Sequence, residues 1–539
     1  MKRLILMMLL VLTTQVRAEE PKLSEKFSIE IGEAYSETDG WFKEFYKYKD
    51  YVVAVNRHKD DLVVQKIDPK TLKEVERIVH EKYFKNDKIT GSFHNLKRVG
   101  DNIFVFFIKK NKKAKAWQII AQSISLETLN LGDLKTVINQ SLKKEIWGLK
   151  YRLSFDENIL MISFWEKPEI KNDKKNKRTI SVNVFDVNCD LVWNTIINVP
   201  YFESRIRTKD FAVDNNGNIF LISKVFDDDS LDEVSKKKKM HDKDIPNYHM
   251  ELFKILKDTK TLGIKKIDTK GMFIDDISIH EGIGGDMIVA GTARNDGRYG
   301  KPTSLFFAKL SADGIFGDVK FYEFPLEMLK QYADKHQKKA LKKEEKKDDL
   351  TPSFDDLEIH TIVHNSDGSF VIIGEEYARI TITRTKSDGS VYTFTYRTYR
   401  NLMATKINAD GKLVWMKKLP KNQRGEDRKG TMSFTHMFAG DYHYLLYLDN
   451  IKNLELEEDE VPAIHSDGHG GYFTAYIIDD KSGTVQKEAI FNVRNIDGKD
   501  KGLGNFSTDK ILPLSDSEIL IEGYAGKKKD FLVKVSAKK

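Results

Sequence analysis

Histidine recurs at one place in a repeating phrase. His94 stands in SFHNL, His360 in EIHTI and His436 in SFTHM, each in a short strand-like segment ahead of a turn. Asp276 and His280 in DISIH, and Asp509 in STDKI, hold related places in two more segments. Three histidines and a carboxylate, here His94, His360, His436 and Asp276, are a donor set for zinc or another divalent metal, and such groups also serve as general acids and bases. They do so only if their segments converge. His465 and His469 in the glycine-rich HSDGHGGY could join them. A second group suits binding better than chemistry. Arg384, Tyr392, Phe394, Tyr396, Arg397, Tyr399 and Arg400 crowd one 24-residue stretch, YARITITRTKSDGSVYTFTYRTYR. Arginine and aromatic side chains are enriched at interaction surfaces. No GxSxG, HExxH, P-loop or EF-hand spacing occurs, and no pair of carboxylates stands out as a glycosidase pair.

The elements that would position these residues come from a repeat. Apolar runs begin at Tyr51 (YVVAV), Ile103 (IFVFF), Ile159 (ILMIS), Ile219 (IFLIS), Met287 (MIVAG), Phe370 (FVIIG), Tyr442 (YHYLLY) and Ile519 (ILIEG). Most follow a tight-turn signal such as Asp367-Gly368 or Gly440-Asp441. A strand precedes each turn and two more follow, so the unit is four antiparallel strands, a to d. About eight such units predict an all-β, eight-bladed β-propeller, with seven blades as the alternative. Strand b reads as an unbroken apolar run because neighbouring blades cover both its faces. The last unit lacks a fourth strand. The segment Phe27–Ile31 is expected to supply it and close the ring.

Residues 19–539 then form one propeller domain with inserts at 171–178, 227–249, 326–352, 378–400 and 451–471. Each insert is a b–c or d–a connection, and these lie on one face. Loops on a rigid scaffold are where binding usually resides. The 326–352 insert is rich in helix formers and reads as a charged, solvated helix. The lysine-rich 171–178 and 235–244 segments read as basic loops. The 378–400 insert alternates around Ser387-Asp388-Gly389 and predicts a projecting β-hairpin.

At NADGKLVWMKKLP and NCDLVWNTIINVP, which carry Trp415 and Trp193 after an Asp turn, the chain resembles the tryptophan-bearing repeats of pyrroloquinoline-quinone-like and WD40-like exported bacterial propellers. The resemblance implies fold. Many quinoprotein dehydrogenases of that kind use adjacent cysteines, and this chain has only Cys189, so quinone binding is not expected. Cys189 itself reads as a buried structural residue.

The first 18 residues, MKRLILMMLLVLTTQVRA, have the basic start, apolar run and small-residue end of a secretory signal peptide, with cleavage near Ala18. The chain is therefore expected in the periplasm or outside the cell, with no transmembrane segment. Its net charge of +7 is small beside 89 basic and 82 acidic residues, which does not point to nucleic acid. The sequence thus suggests a non-enzymatic binding propeller for an envelope or extracellular protein or glycan. The alternative is a hydrolase or lyase using channel-mouth histidines, with or without a divalent metal.

Overall fold

The computed structural model describes residues 23–538 apart from short internal stretches (37–41, 87–88, 90, 167–175, 241–242, 296, 298–300, 312–315, 346–352, 355, 387, 427–431, 467–469, 497–505 and 527–528). The expected signal peptide, His469 and most of the 171–178 insert lie outside the described residues, as does the side chain of Asp509. Among the described residues the chain forms eight sheets of four or more strands and one separate two-stranded hairpin. We number the eight sheets I to VIII by their place in the chain: 43–80, 92–141, 146–202, 206–267, 273–323, 357–419, 435–492 and 506–537.

Within each sheet, strands a to d pair antiparallel in sequence order. Sheet VII shows the plan with Thr435–Ala439, Tyr442–Asp449, Tyr472–Asp479 and Val485–Asn492. The b strands are buried on both faces: all of Ile219–Phe226 and all of Met287–Arg294 are buried. What covers them is the next sheet. Eight apolar clusters fill the molecule, and each joins two sheets. Seven join consecutive sheets. The eighth joins Val52, Ala54 and Ile67 of sheet I to Leu514, Leu520 and Leu532 of sheet VIII. This serial face-to-face packing of four-stranded antiparallel sheets is a β-propeller-type fold.

Sheet VIII takes strand d from the other end of the chain. Phe27–Ile31 pairs antiparallel with Lys529–Ala537, with Ile29 opposite Val535. Lys43 of sheet I forms a buried ion pair with Glu522 of sheet VIII, so charge as well as apolar area crosses this junction.

Two tryptophans tie sheets together at their rims. Trp193 of sheet III donates its indole N–H to Gly217 O of sheet IV at 3.1 Å. Trp415 of sheet VI donates to Asp480 O of sheet VII at 2.9 Å. The second contact needs glycine: Gly483 has φ +68°, and a Cβ there would stand 2.6 Å from the Trp415 ring. Cys189 is buried between sheets II and III, where burial pushes its thiol up to about 12, in keeping with a structural role.

Two inserts depart from the expected form. The 326–352 insert holds two helices, Leu326–Lys330 and Lys335–Glu345. It is not a solvated decoration. Met328, Leu329 and Leu341 are buried in the cluster between sheets V and VI. Tyr332 N–H donates to Glu458 O at 2.7 Å, which ties this insert to the 451–471 insert. Hydrophobic positions too sparse to declare a helix face were enough to dock it. The lysine-rich segment at 235–244 is a hairpin, Val234–Met240 with Lys243–Pro246, and not a loop. Glu233 anchors it by a bidentate pair with the buried Lys224, at 2.7 and 2.9 Å. Among the described residues no helix is long and apolar enough to cross a membrane.

Gly32 N–H donates to Leu532 O and Lys26 O accepts from Lys538 N–H in the same register, so the ladder bonds fall at even positions of the first strand, and proline at position 30 would delete one of them. Glu30→Pro should lower the Tm by several degrees in a thermal melt, whereas Glu30→Ala, whose side chain is exposed, should shift it by less than about 1 °C.

Candidate functional site

The a strands of sheets III to VI lie side by side and enclose a cavity of about 460 Å3. Arg152, Asp210, His280, Glu281 and His360 line it. Its carboxylates are occupied in joining sheets. Asp210 accepts from Arg152 of sheet III at 2.8 Å and from Ile279 N–H of sheet V at 3.1 Å. Asp276 of sheet V accepts from Ile359 N–H of sheet VI at 2.9 Å. Glu281 accepts the N–H groups of Asn215 and Phe155 from the turns of sheets IV and III, at 2.9 and 3.0 Å. Inner-strand amides have no partner strand on one side, and acidic side chains from the neighbouring sheet fill that need.

The histidines spread along the strands. His94 is exposed, with its ring 5.5 Å from that of Tyr151. His360 is exposed and packs on Phe434 at 4.8 Å. His280, expected near the start of its strand, stands at the far end of Phe273–Glu281 and pairs with Ile288 next to the a–b turn. Among the described residues no three His, Cys, Asp or Glu side chains are grouped so as to hold a metal ion.

His436 has a partner the sequence did not suggest. His436 Nε2 lies 3.1 Å from Nδ1 of His443, a buried residue of strand Tyr442–Asp449. His443 Nε2 lies 2.9 Å from Asp480 Oδ1. Asp480 also accepts from Lys406 at 2.5 Å and Asn365 at 3.1 Å. Burial would raise its pKa, but Lys406 and His443 outweigh that and hold the carboxyl below the ordinary carboxylate range. An ionised Asp480 can only accept, so His443 donates from Nε2. Burial lowers the pKa of both histidines and keeps them neutral, so His443 Nδ1 must accept from His436 Nε2–H. The chain Asp480–His443–His436 is thus directional and leaves the lone pair on Nδ1 of His436. It runs toward the a–b and c–d turns, the end opposite the inserts.

The other site is built on sheet VI. Its strands Phe370–Thr385 and Val391–Ile407 run on past the sheet as a two-stranded ribbon. This is the expected projecting hairpin. Its alternation separates the candidate residues onto two faces. Arg384, Tyr392, Phe394 and Tyr396 share one face with Ile380 and Ile382. Arg397 and Tyr399 lie on the other, opposite Arg379 and Tyr377, with a threonine ladder bonded at Thr381–Thr395 (3.0 Å) and Thr383–Thr393 (3.2 Å). Arg400 falls where the register shifts between Tyr399 and Leu402. Rings of Tyr392, Phe394 and Tyr396 follow one another at 6.2 and 6.3 Å. Arg384 sits over Phe394 at 5.3 Å, Lys386 over Tyr392 at 5.5 Å, and Arg424 over Tyr396 at 3.8 Å. Arg424 belongs to the short strand Gln423–Glu426, which pairs with Tyr396–Tyr399. His465 forms a short parallel bridge to Gln423 and is buried, so it supports the ribbon's base and is not presented to a partner.

A buried lysine locks that base. Lys421 is fully buried and pairs with Glu375 at 2.5 Å. It also donates to Tyr399 O at 3.2 Å and Gln423 Oε1 at 3.0 Å. Ser433 Oγ donates to the other Glu375 oxygen at 2.6 Å. His443 was discoverable as the one polar break in the YHYLLY run. Lys421, Asp480 and Arg424 carried no local signal, since their partners lie on other strands.

Comparison with known proteins adds little to this geometry. No family model matches the chain, and no curated protein matches it. Among solved structures, the chain is similar to the WD40 domain of SCAP from fission yeast, at 8% identity over 96% of this chain and 99% of that one, with a TM-score of 0.37. It is similar to uncharacterized protein lmo1340 from Listeria monocytogenes EGD-e, at 10% identity over 81% and 90%, with a TM-score of 0.36. It is also similar to polysaccharide lyase Uly1, at 11% identity over 84% and 91%, with a TM-score of 0.32. Such TM-scores carry no argument about activity or partners.

Two outcomes follow from the buried groups. The unfolded chain binds a proton at His436 near the ordinary 6.5, whereas the folded chain does so only near about 3, so His436 makes folding less favourable as pH falls through that window. In urea titrations, stability should fall from pH 6.5 toward pH 4 less steeply for His436→Gln than for the native chain. Lys421→Met strands the Glu375 carboxylate in the core, and should cost about 3–5 kcal/mol by chemical denaturation. Adding Glu375→Gln should recover part of that loss.

Proposed function

We propose that the eight sheets are the blades of one closed ring, sealed by Phe27–Ile31, and that the protein is exported and binds a macromolecular partner in the cell envelope or outside the cell. Eight face-to-face apolar layers support closure, because an open row of eight sheets has only seven. The layer between sheets I and VIII, with its buried Lys43–Glu522 pair, is the additional one. Export rests on the basic and apolar pattern of residues 1–18.

One observation carries the binding reading. The ribbon of sheet VI extends beyond the packed sheet, none of the eight apolar clusters includes its distal residues, and it holds aromatic and arginine side chains at the surface. Such residues dominate contact energetics when a partner buries them. The locked Lys421–Glu375 base presents the ribbon in one orientation, which reduces the ordering cost on binding.

The test compares the native protein with a variant in which residues 379–400 are replaced by a short Gly-containing turn. Cell fractionation should find both outside the cytoplasm. Affinity recovery from an envelope fraction should yield partners with the native protein and not with the variant, whose Tm should stay within a few degrees of native. Equal recovery by the two proteins would overturn the ribbon's role.

A further inference from the structure

The ribbon's aromatic face has a chemistry of its own, and its charge says what should cover it. Of the basic residues in 379–400, Arg384 and Lys386 belong to the aromatic face, whereas Arg379 and Arg397 lie on the other and Arg400 stands at the register shift. Arg424 reaches the same face from the neighbouring strand and adds a cation over Tyr396. Each of the three rings in file therefore has a cation against it.

We infer that this face binds an acidic polysaccharide, with carboxylate or sulfate groups, laid along strand Val391–Ile407. The inference rests on the reading of the ribbon as a binding element. The rings of Tyr392, Phe394 and Tyr396 stand in file along the strand, with planes 22° and 32° apart. The C–H face of a pyranose stacks on aromatic rings of this kind. The guanidinium groups among the rings can take carboxylate or sulfate oxygens in pairs. An acidic protein would meet the same charge, but a protein partner favours a recess for its anchor side chains. The rings and cations here run in file along one strand, an arrangement suited to an extended, repeating anion. Tyr392 is 40% exposed, so the outer end of the file of rings is open.

The test uses the full-length protein and calorimetric titration with polygalacturonate and with dextran sulfate. Their uncharged counterparts are methyl-esterified polygalacturonate and dextran, and poly-L-glutamate serves as a polyanion without sugar rings. At least one acidic glycan should bind, and its neutral counterpart should bind about tenfold or more weakly, as loss of charge-assisted hydrogen bonds requires. Phe394→Ala should weaken binding by about tenfold or more through loss of one stacking ring, and Arg384→Gln with Arg424→Gln should do the same. Thr381→Ala, on the opposite face, should leave it unchanged. The inference is overturned if neither acidic glycan binds, if poly-L-glutamate binds as tightly as they do, or if Phe394→Ala binds like the native protein. The comparison of acidic with neutral glycans needs no variant, so a folding defect in one cannot obscure the result. Failure here, with envelope partners still recovered only through the ribbon, would leave the broader binding reading standing and remove the glycan.

Discussion

Each sheet buries both faces of its middle strands against a neighbour, and the rest of the molecule follows from that. A two-sided apolar strand such as Phe370-Val371-Ile372-Ile373 is unstable in water unless something covers each side. The neighbouring sheets do so, each needing the next. With a single cysteine no intramolecular disulfide is possible, so these layers carry the stability. Several polar groups then serve to join one sheet to the next. On the inner strands Asp210, Asp276 and Glu281 satisfy amides of adjacent sheets. On the rims Trp193 and Trp415 hand their N–H groups to the next sheet's turns. Much of the polar chemistry that looks functional in one dimension is the fastening of one sheet to another.

Sheets VI and VII are fastened at both ends of their junction. Asp480 gathers His443, Lys406, Asn365 and the Trp415 contact at one end of their junction. Lys421 and Glu375 do so at the other. A fully buried ion pair is rarely a source of net stability, because desolvation offsets most of the Coulombic gain. It does make alternatives expensive. Here the alternative it disfavours is any other orientation of the ribbon, whose backbone at Tyr399 is one of the lysine's partners. A projecting two-stranded ribbon is marginal by itself. It stands because its strands are continuous with b and c of a packed sheet and because Gln423–Glu426 widens its base.

The chain's order of apolar runs and turns determined the all-β class, the four-strand unit, the pairing of Phe27–Ile31 with the last strand, and the hairpin around Ser387-Asp388-Gly389. These depend on local periodicity and turn chemistry, which adjacent residues write in full. The tertiary structure alone decided which polar residues act together. His436 meets His443 and Asp480, and not His94 or His360, because sheet register sets the partners of a side chain. The tip residues divide into an aromatic face and an arginine-threonine face because pairing in a ribbon alternates from one residue to the next. Arg424 arrives over Tyr396 from a strand nearly thirty residues on. The 326–352 helices dock because three scattered apolar side chains find a groove between two sheets. Contacts of this kind join residues far apart in the chain, and nothing in the neighbouring residues encodes them.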